Sequence, residues 1–269
     1  MAELNLASQV TVIEANRTIK DALMEQLKSS RPRKRISVTD LLNVKQAYFR
    51  RKHPEIKPPL EKQEVMWAGT GFHQVFGAAV SREEYLEQFV EWEGITGKID
   101  IFKNVPVEVK TTSTPVDNAD MVRRRSGYLE QLGMYCGMVN KAEGKLVIYG
   151  RDALPGMSPI SVFRVSFPNI EAVRAEMLRR RDLLEQALAS GDASRLPVCP
   201  WRRYSCDYSS VCDCGNSKVP ASHEIAALVG ELKSDAAVTS ALYQKLCQPG
   251  DNAEFGLNDL VFPRKAYLA

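Results

Sequence analysis

Several features of secreted, membrane-bound and nucleotide-driven proteins are missing from this chain of 269 residues. Residues 1–16 lack the continuous apolar stretch of a secretory signal, and no apolar run elsewhere approaches the length of a transmembrane helix. We therefore expect a cytoplasmic protein without a membrane partner. A glycine loop of the Walker type is also missing, so any helicase activity would belong to a partner protein. Internal repeats and low-complexity tracts are not found either.

The composition is that of a globular protein, with 44% hydrophobic and 26% charged residues. The length suits one domain of about 200 residues with extensions. The net charge is only +3, but it is unevenly distributed: residues 29–62 contain ten Lys or Arg against three Asp or Glu. Two arginine triplets lie at 123–125 and 179–181. Such surfaces attract a phosphate backbone, although a solvated helix face explains an arginine triplet equally well.

The order of predicted elements is mixed and favours an α/β fold, with a central sheet flanked by helices. Ser37 is a candidate cap for a helix that runs to about Arg51, and Gly191 ends a long helix that Asn169 opens. The periodicity predicts the remaining elements as helices at 11–28, around 73, 122–140 and 223–247, and strands near 84–93, 97–102, 105–111, 145–149 and 160–166.

Candidate catalytic residues lie in the stretch GKIDIFKNVPVEVKT, residues 97–111. Side chains alternate across a strand, so Glu108 and Lys110 share one face of the second predicted strand. Pairing of the two strands would bring Asp100 near Glu108. Two carboxylates and an ammonium at one sheet edge can hold a hard divalent cation beside a water molecule. An ordinary amphipathic hairpin with a solvated face has the same pattern.

Two further segments carry candidate residues at helical spacing. His73 lies in the predicted helix GTGFHQVF, and imidazole is a ligand for Mn²⁺ and, less often, Mg²⁺. Gln131 and Tyr135 are four residues apart in GYLEQLGMYC and therefore share one helix face. Each of these residues, taken alone, is also compatible with a packing role.

Together these motifs occur in the order G-x-x-x-H, G-x-x-D, E-x-K and Q-x-x-x-Y. This arrangement resembles the PD-(D/E)XK nucleases of the RecB-like branch, and most closely the CRISPR-associated RecB-like exonucleases, which act in antiviral defence. The resemblance covers roughly residues 36–215. It implies a restriction-endonuclease-like α/β domain over 36–215, preceded by an N-terminal helix and basic linker (1–35) and followed by a helical extension (216–269).

The resemblance also implies roles for the candidate residues. His73, Asp100 and Glu108, with the carbonyl of Val109, would bind Mg²⁺ or Mn²⁺. Lys110 would orient or activate the attacking water. The remaining two catalytic candidates, Gln131 and Tyr135, would support Lys110 or the scissile phosphate.

Four of the six cysteines fall within sixteen residues, which favours a metal over disulfides in a reducing compartment. They are Cys199, Cys206, Cys212 and Cys214. Iron–sulfur members of the family that this chain resembles use one early cysteine and three late ones, and two of those positions fall here on Val44 and Arg203. Cys199 and Cys214 are candidate replacements. A 4Fe–4S cluster, a zinc ion and a metal-free remnant all remain open.

The predicted activity is metal-dependent exonuclease cleavage of DNA, either for CRISPR spacer acquisition or for recombination end processing. The expected partners are single-stranded DNA or duplex ends, together with CRISPR adaptation integrase proteins or a recombination annealing protein. A phage-encoded recombination exonuclease has the same core, and a non-catalytic DNA-binding subunit that retains the fold is the competing class. The oligomeric state stays open, a homo-oligomer included.

Overall fold

The computed structural model describes most of the chain from residue 35 to residue 247. The described ranges are 35–59, 62–63, 65–66, 69–70, 72–73, 76–77, 81–116, 118–153, 158–199, 206–212 and 224–247. All of them belong to one compact unit that begins at Lys34. The helix predicted over 11–28 lies outside these residues.

Within the described ranges, a mixed sheet of seven strands forms the centre of the fold. In chain order the strands are β1 (Ile36–Ser37), β2 (Leu86–Trp92), β3 (Ile95–Phe102), β4 (Pro106–Thr112), β5 (Glu143–Gly150), β6 (Ile160–Ser166) and β7 (Leu232–Ser234). Their spatial order is β1-β3-β4-β5-β6-β7, and β2 pairs with β3. The β1–β3 and β4–β5 pairs are parallel and the other pairs antiparallel. This confirms the predicted α/β class with a mixed central sheet.

Helices flank the sheet. They are α1 (Val38–Leu42), α2 (Val44–Lys52), α3 (Ala119–Arg123), α4 (Ser126–Met138), α5 (Ile170–Ser190), α6 (Glu224–Ala227) and α7 (Ala236–Cys247). The described residues between 62 and 77, His73 among them, are also helical.

Local chemistry explains where the long helix α5 begins and ends. The side chain of Asn169 accepts a hydrogen bond from the backbone N–H of Ala172, which caps the first turn. Gly191 has a φ of 73°, a left-handed conformation that costs little without a Cβ and that ends the helix. Both boundaries were predicted and both are confirmed.

Three predicted helices are divided in the structure. The helix capped by Ser37 is interrupted at Asn43, whose side chain accepts from the N–H of Gln46 and so starts α2 anew. The helix predicted over 122–140 is two helices, α3 and α4, separated at residues 124–125. The helix predicted over 223–247 contains strand β7, which extends the sheet by pairing with β6. Helical periodicity over a short window did not reveal these interruptions.

The two faces of the sheet bury separate apolar clusters. Alternate residues of β5 divide between them: Leu146 and Ile148 face the larger cluster beneath α1, α2, α4 and α5, whereas Val147 and Tyr149 face the smaller one. The smaller cluster also contains Phe72, and Leu242 of α7 packs against it. Residues 224–247 therefore contact both clusters, through Ile225 and Leu232 on the larger side and Leu242 on the smaller side.

A buried ionic group ties the helices together. Arg180, 1% exposed, pairs with Glu130 of α4 and with Glu176 of its own helix, at 2.6 Å in each case, and with Glu224 of α6 at 3.3 Å. It also donates to the carbonyl of Leu41 at 3.2 Å. One guanidinium thus joins α1, α4, α5 and α6. Arginine can do this because its planar guanidinium carries several N–H donors that point in different directions.

We expect Arg180→Ala to lower the free energy of unfolding by about 3–5 kcal/mol, because it leaves Glu130 buried without its guanidinium. The neighbouring Arg179 is a matched control from the same triplet. Its side chain is 46% exposed, so Arg179→Ala should cost less than about 1 kcal/mol. Urea unfolding of both variants measures the difference, and equal losses would contradict the structural role given to Arg180.

Candidate functional site

Strands β3 and β4 bring the candidate carboxylates together. The register pairs Ile101 with Val107 and Phe102 with Pro106, which places Asp100 beside the Glu108 end of β4. Oδ2 of Asp100 accepts a hydrogen bond from the backbone N–H of Val109 at 2.8 Å. The predicted proximity of Asp100 and Glu108 is therefore present.

His73 reaches this pair from the helical residues upstream. Its Nδ1 lies 3.3 Å from Oδ1 of Asp100, and both side chains are partly exposed. The structure thus places His73, partly exposed, beside Asp100.

Lys110 connects the carboxylates to helix α4. Its Nζ lies 2.5 Å from Oε1 of Glu108 and donates to Oε1 of Gln131 at 2.9 Å. The amide nitrogen of Gln131 in turn donates to the hydroxyl of Tyr135 at 3.3 Å. Burial on its own would lower the pKa of Lys110, but the charge of Glu108 outweighs it and the pKa is raised. Lys110 is therefore a fixed cation at neutral pH.

The other carboxylate oxygen of Glu108 is the most unusual atom of the site. Glu108 is 1% exposed, and its Oε2 has no hydrogen-bond partner among the described residues. Burial raises the pKa of Glu108 to about 7, with Lys110 opposing the shift and Asp100 adding to it. A buried acceptor without a donor is costly, so it calls for an explanation.

Close packing of β3 against α4 positions the Gln131–Tyr135 pair. A Cβ on Gly97 would lie 2.8 Å from Cε1 of Tyr135 and 3.2 Å from Cγ2 of Val38. Only glycine allows the tyrosine ring to approach the strand so closely. Both Gln131 and Tyr135 are buried, and the side-chain amide of Gln131 joins Lys110 to the hydroxyl of Tyr135.

Tyr128 is a residue of the site that the sequence motifs did not include. The ammonium of Lys110 lies 5.6 Å from the centre of its ring, and the guanidinium of Arg125 lies 5.9 Å from the same centre. Both distances are within the range of cation–π attraction. Tyr128 lies three residues before Gln131, so the helical spacing that pairs Gln131 with Tyr135 was the signal that could have found it.

The side chains of His73, Asp100 and Glu108 can be compared with the ligands that a hard divalent cation prefers. Within the part of the chain that is described, no three His, Cys, Asp or Glu residues already converge as a metal-binding group. The unpartnered Oε2 of Glu108 is nonetheless an available carboxylate ligand. The 3.3 Å between His73 and Asp100 is close to the roughly 3 Å that separates neighbouring ligands on an octahedral ion. The chemistry of these residues fits Mg²⁺ or Mn²⁺.

The cysteine cluster is only partly described. Cys199 is buried and its sulfur accepts from the side-chain amide of Asn43 at 2.6 Å, whereas Cys206 and Cys212 are partly buried against the larger core cluster. Cys214 lies outside the described residues. The contact of Cys199 with Asn43 places it beside Val44, the predicted position of the missing early cysteine. The metal content of the cluster stays a prediction.

No family model matches this chain, and no curated protein matches it. Among solved structures, the crystal structure of SSO0001 is similar to it with a TM-score of 0.48 and 18% sequence identity, over 73% of this chain and 94% of that one. In the described residues, no helix is both long and apolar enough to cross a membrane.

The raised pKa of Glu108 predicts a specific pH dependence in EDTA. The folded protein retains a proton up to about pH 7 that an unfolded chain releases near pH 4.5, so wild type loses stability as the pH rises between these values. Glu108→Gln has no proton to release at this position. We therefore expect the stability of the variant relative to wild type to increase from pH 5 to pH 8.

Chemical denaturation at both pH values measures this change. Glu143→Gln is the matched control, because Glu143 is 44% exposed and pairs with the exposed Arg164. A stability difference between Glu108→Gln and wild type that is the same at pH 5 and pH 8 would show that the carboxyl titrates normally.

Proposed function

We propose that this protein is a metal-dependent DNA exonuclease of the RecB-like branch of the PD-(D/E)XK nucleases. The observation that carries the proposal is the buried carboxylate oxygen of Glu108 without a donor, in the same site as Asp100, His73 and Lys110. A structural salt bridge would satisfy both oxygens of a buried glutamate. A site that takes up a cation keeps one of them available.

Glu108 and Asp100 are the ligands we assign to Mg²⁺ or Mn²⁺, together with His73 and the carbonyl of Val109. A bound cation would supply a hydroxide at neutral pH and would neutralise charge on the phosphate oxygens. Asp100 is held in place by the N–H of Val109, and this contact fixes its carboxylate relative to Glu108.

Lys110 provides a positive charge beside the reacting phosphate. Glu108 and Gln131 hold its ammonium, so its position does not depend on the substrate. A preoriented ammonium stabilises charge that develops in the transition state without a reorganisation cost. Gln131 and Tyr135 act through Lys110 and are therefore positioning residues.

The biological setting that we propose is trimming of DNA for CRISPR spacer acquisition, or resection of DNA ends for recombination. An adaptation integrase or an annealing protein would be the respective partner. The competing hypothesis is a non-catalytic DNA-binding subunit. The convergence of His73, Asp100, Glu108 and Lys110 favours the enzyme, because a binding subunit has no need of a buried carboxylate next to a lysine.

Purified protein should degrade linear DNA with Mn²⁺ or Mg²⁺ and should be inactive in EDTA. Glu108→Gln and Lys110→Ala should each lower the rate at least about 10²-fold. His73→Ala should fold normally and require more Mn²⁺ for half-maximal activity. The rate of the exposed-residue control Glu143→Gln should equal that of wild type. A Glu108→Gln enzyme that cleaves like wild type would contradict the proposal.

The cysteine segment is assigned a structural metal, an iron–sulfur cluster or, failing that, zinc. Its contacts with the rest of the domain include Cys199 with Asn43, Asp207 with Lys62 at 2.7 Å, and the packing of Cys206 and Cys212 against the larger core cluster. A metal here would pin the segment after α5 against the domain, and none of its ligands belongs to β3 or β4.

We expect anaerobically purified protein to contain iron, or zinc in its place. Cys206→Ser and Cys212→Ser should lower the Tm more than they lower the cleavage rate of the folded fraction. Cys136→Ser is the control, because Cys136 is a buried thiol on α4 outside this segment. Elemental analysis that finds neither metal would identify the segment as a metal-free remnant.

A further inference from the structure

The two arginine triplets of the sequence have different environments in the structure. In the triplet 179–181 every guanidinium has an acidic partner: Arg179 pairs with Glu176, Arg180 with Glu130 and Glu176, and Arg181 with Asp182. In the triplet 123–125, by contrast, none of the arginines has an acidic partner among the residues that the structure describes. The first triplet is therefore structural, and the second carries positive charge that no described acidic side chain compensates.

This positive charge lies next to the candidate catalytic lysine. Arg125 and Lys110 contact the ring of the same residue, Tyr128, with their charged groups 5.9 Å and 5.6 Å from its centre. The carbonyl of Arg125 accepts from the N–H of Tyr128 at 2.9 Å, so the turn that carries both residues is ordered. The ring of Tyr128 thus contacts the ammonium of Lys110, which Glu108 neutralises, and a guanidinium that has no described acidic partner.

Lys110 is paired with Glu108, but among the described residues no acidic side chain pairs with Arg125. The first turn of α4 contains no acidic residue, and Arg125 at its N-cap makes no capping hydrogen bond with its side chain. Arg123 and Arg124 are exposed on the preceding turn. Arginine binds phosphate through a planar pair of donors, and a phosphodiester chain is the anion that presents several phosphates in a row.

We propose that Arg125 binds the DNA phosphate next to the scissile one, and that the ring of Tyr128 holds Arg125 and Lys110 side by side for this purpose. The inference rests on the proposed function for the identity of the scissile phosphate. Tyr128 is a positioning residue in this arrangement, and Arg125 is a substrate contact. Arg123 and Arg124 continue the same positive surface away from the site.

The test is DNA binding in EDTA, where no cleavage takes place. Fluorescence anisotropy with a labelled single-stranded oligonucleotide is measured over a series of salt concentrations. Each phosphate contact contributes about 0.7 to the slope of log K against log[salt] for single strands, so Arg125→Gln should reduce the slope by about that amount and weaken binding about tenfold. Arg195→Gln, which removes an exposed arginine in the turn after α5, should change neither.

Variants of Tyr128 separate positioning from simple packing. Tyr128→Phe keeps the ring and should bind and cleave like wild type. Tyr128→Leu loses the ring and should raise the KM and lower kcat, while its Tm in EDTA stays close to that of Tyr128→Phe. A Tyr128→Leu enzyme with unchanged kinetic constants would overturn the assignment.

DNA binding is measured independently of cleavage. The proposed nuclease activity and the proposed phosphate contact of Arg125 can therefore be contradicted separately. Wild type that binds DNA but does not cut it would contradict the nuclease and leave the phosphate contact supported. A salt slope of Arg125→Gln equal to that of Arg195→Gln would overturn the phosphate contact, whatever the activity. Competition by inorganic phosphate that equals competition by unlabelled oligonucleotide, at matched ionic strength and phosphate concentration, would overturn the assignment to a polynucleotide.

Discussion

The burial of one carboxylate organises the candidate site. Because Glu108 lies inside the sheet, its charge requires a nearby cation, and Lys110 satisfies one of its two oxygens. Lys110 then needs its own acceptor, which α4 supplies through Gln131. The close contact of Tyr135 with β3 in turn depends on the absence of a side chain at Gly97. The pairing of β3 with β4, the position of α4 and the glycine at position 97 thus all contribute to compensating the buried charge of Glu108.

The molecule uses buried ion pairs in two contrasting ways. Around Arg180 three carboxylates surround one guanidinium, and the described contacts join four helices into a rigid layer. Around Glu108 the pairing is incomplete, and the pKa of the glutamate rises to about 7 because burial outweighs the attraction of Lys110. A fully paired group favours stability, whereas a partly paired group stores free energy that a ligand can recover. The Arg180 group therefore holds α4, and α4 in turn carries Gln131, which binds Lys110 in the partly paired site.

The α/β class and parts of the site could be predicted because their signals are local, whereas the grouping of His73 and Gln131 with the carboxylates rested on the resemblance to a family. Alternation placed Glu108 and Lys110 on one strand face, and the residues Asn169 and Gly191 marked the ends of α5. Contacts between distant segments escaped prediction: strand β7 forms only because β6 offers an edge to Leu232, and Tyr128 acquires its role only when Lys110 reaches its ring. The different environments of the two arginine triplets also depend on carboxylates brought close by folding, which no spacing within the triplets shows.

Strand β7 has a consequence for the order of events during synthesis. The sheet begins at Ile36 and is completed by residues 232–234, and Glu224 reaches back to Arg180 from the same late segment. The nascent chain on the ribosome therefore carries every candidate catalytic residue long before the strand that closes the sheet has been translated. Until then β6 presents an unpaired edge, and this edge is open to association with other chains. Residues 224–247 thus cover an edge of the sheet that carries the candidate site, although none of the candidate catalytic residues lies among them.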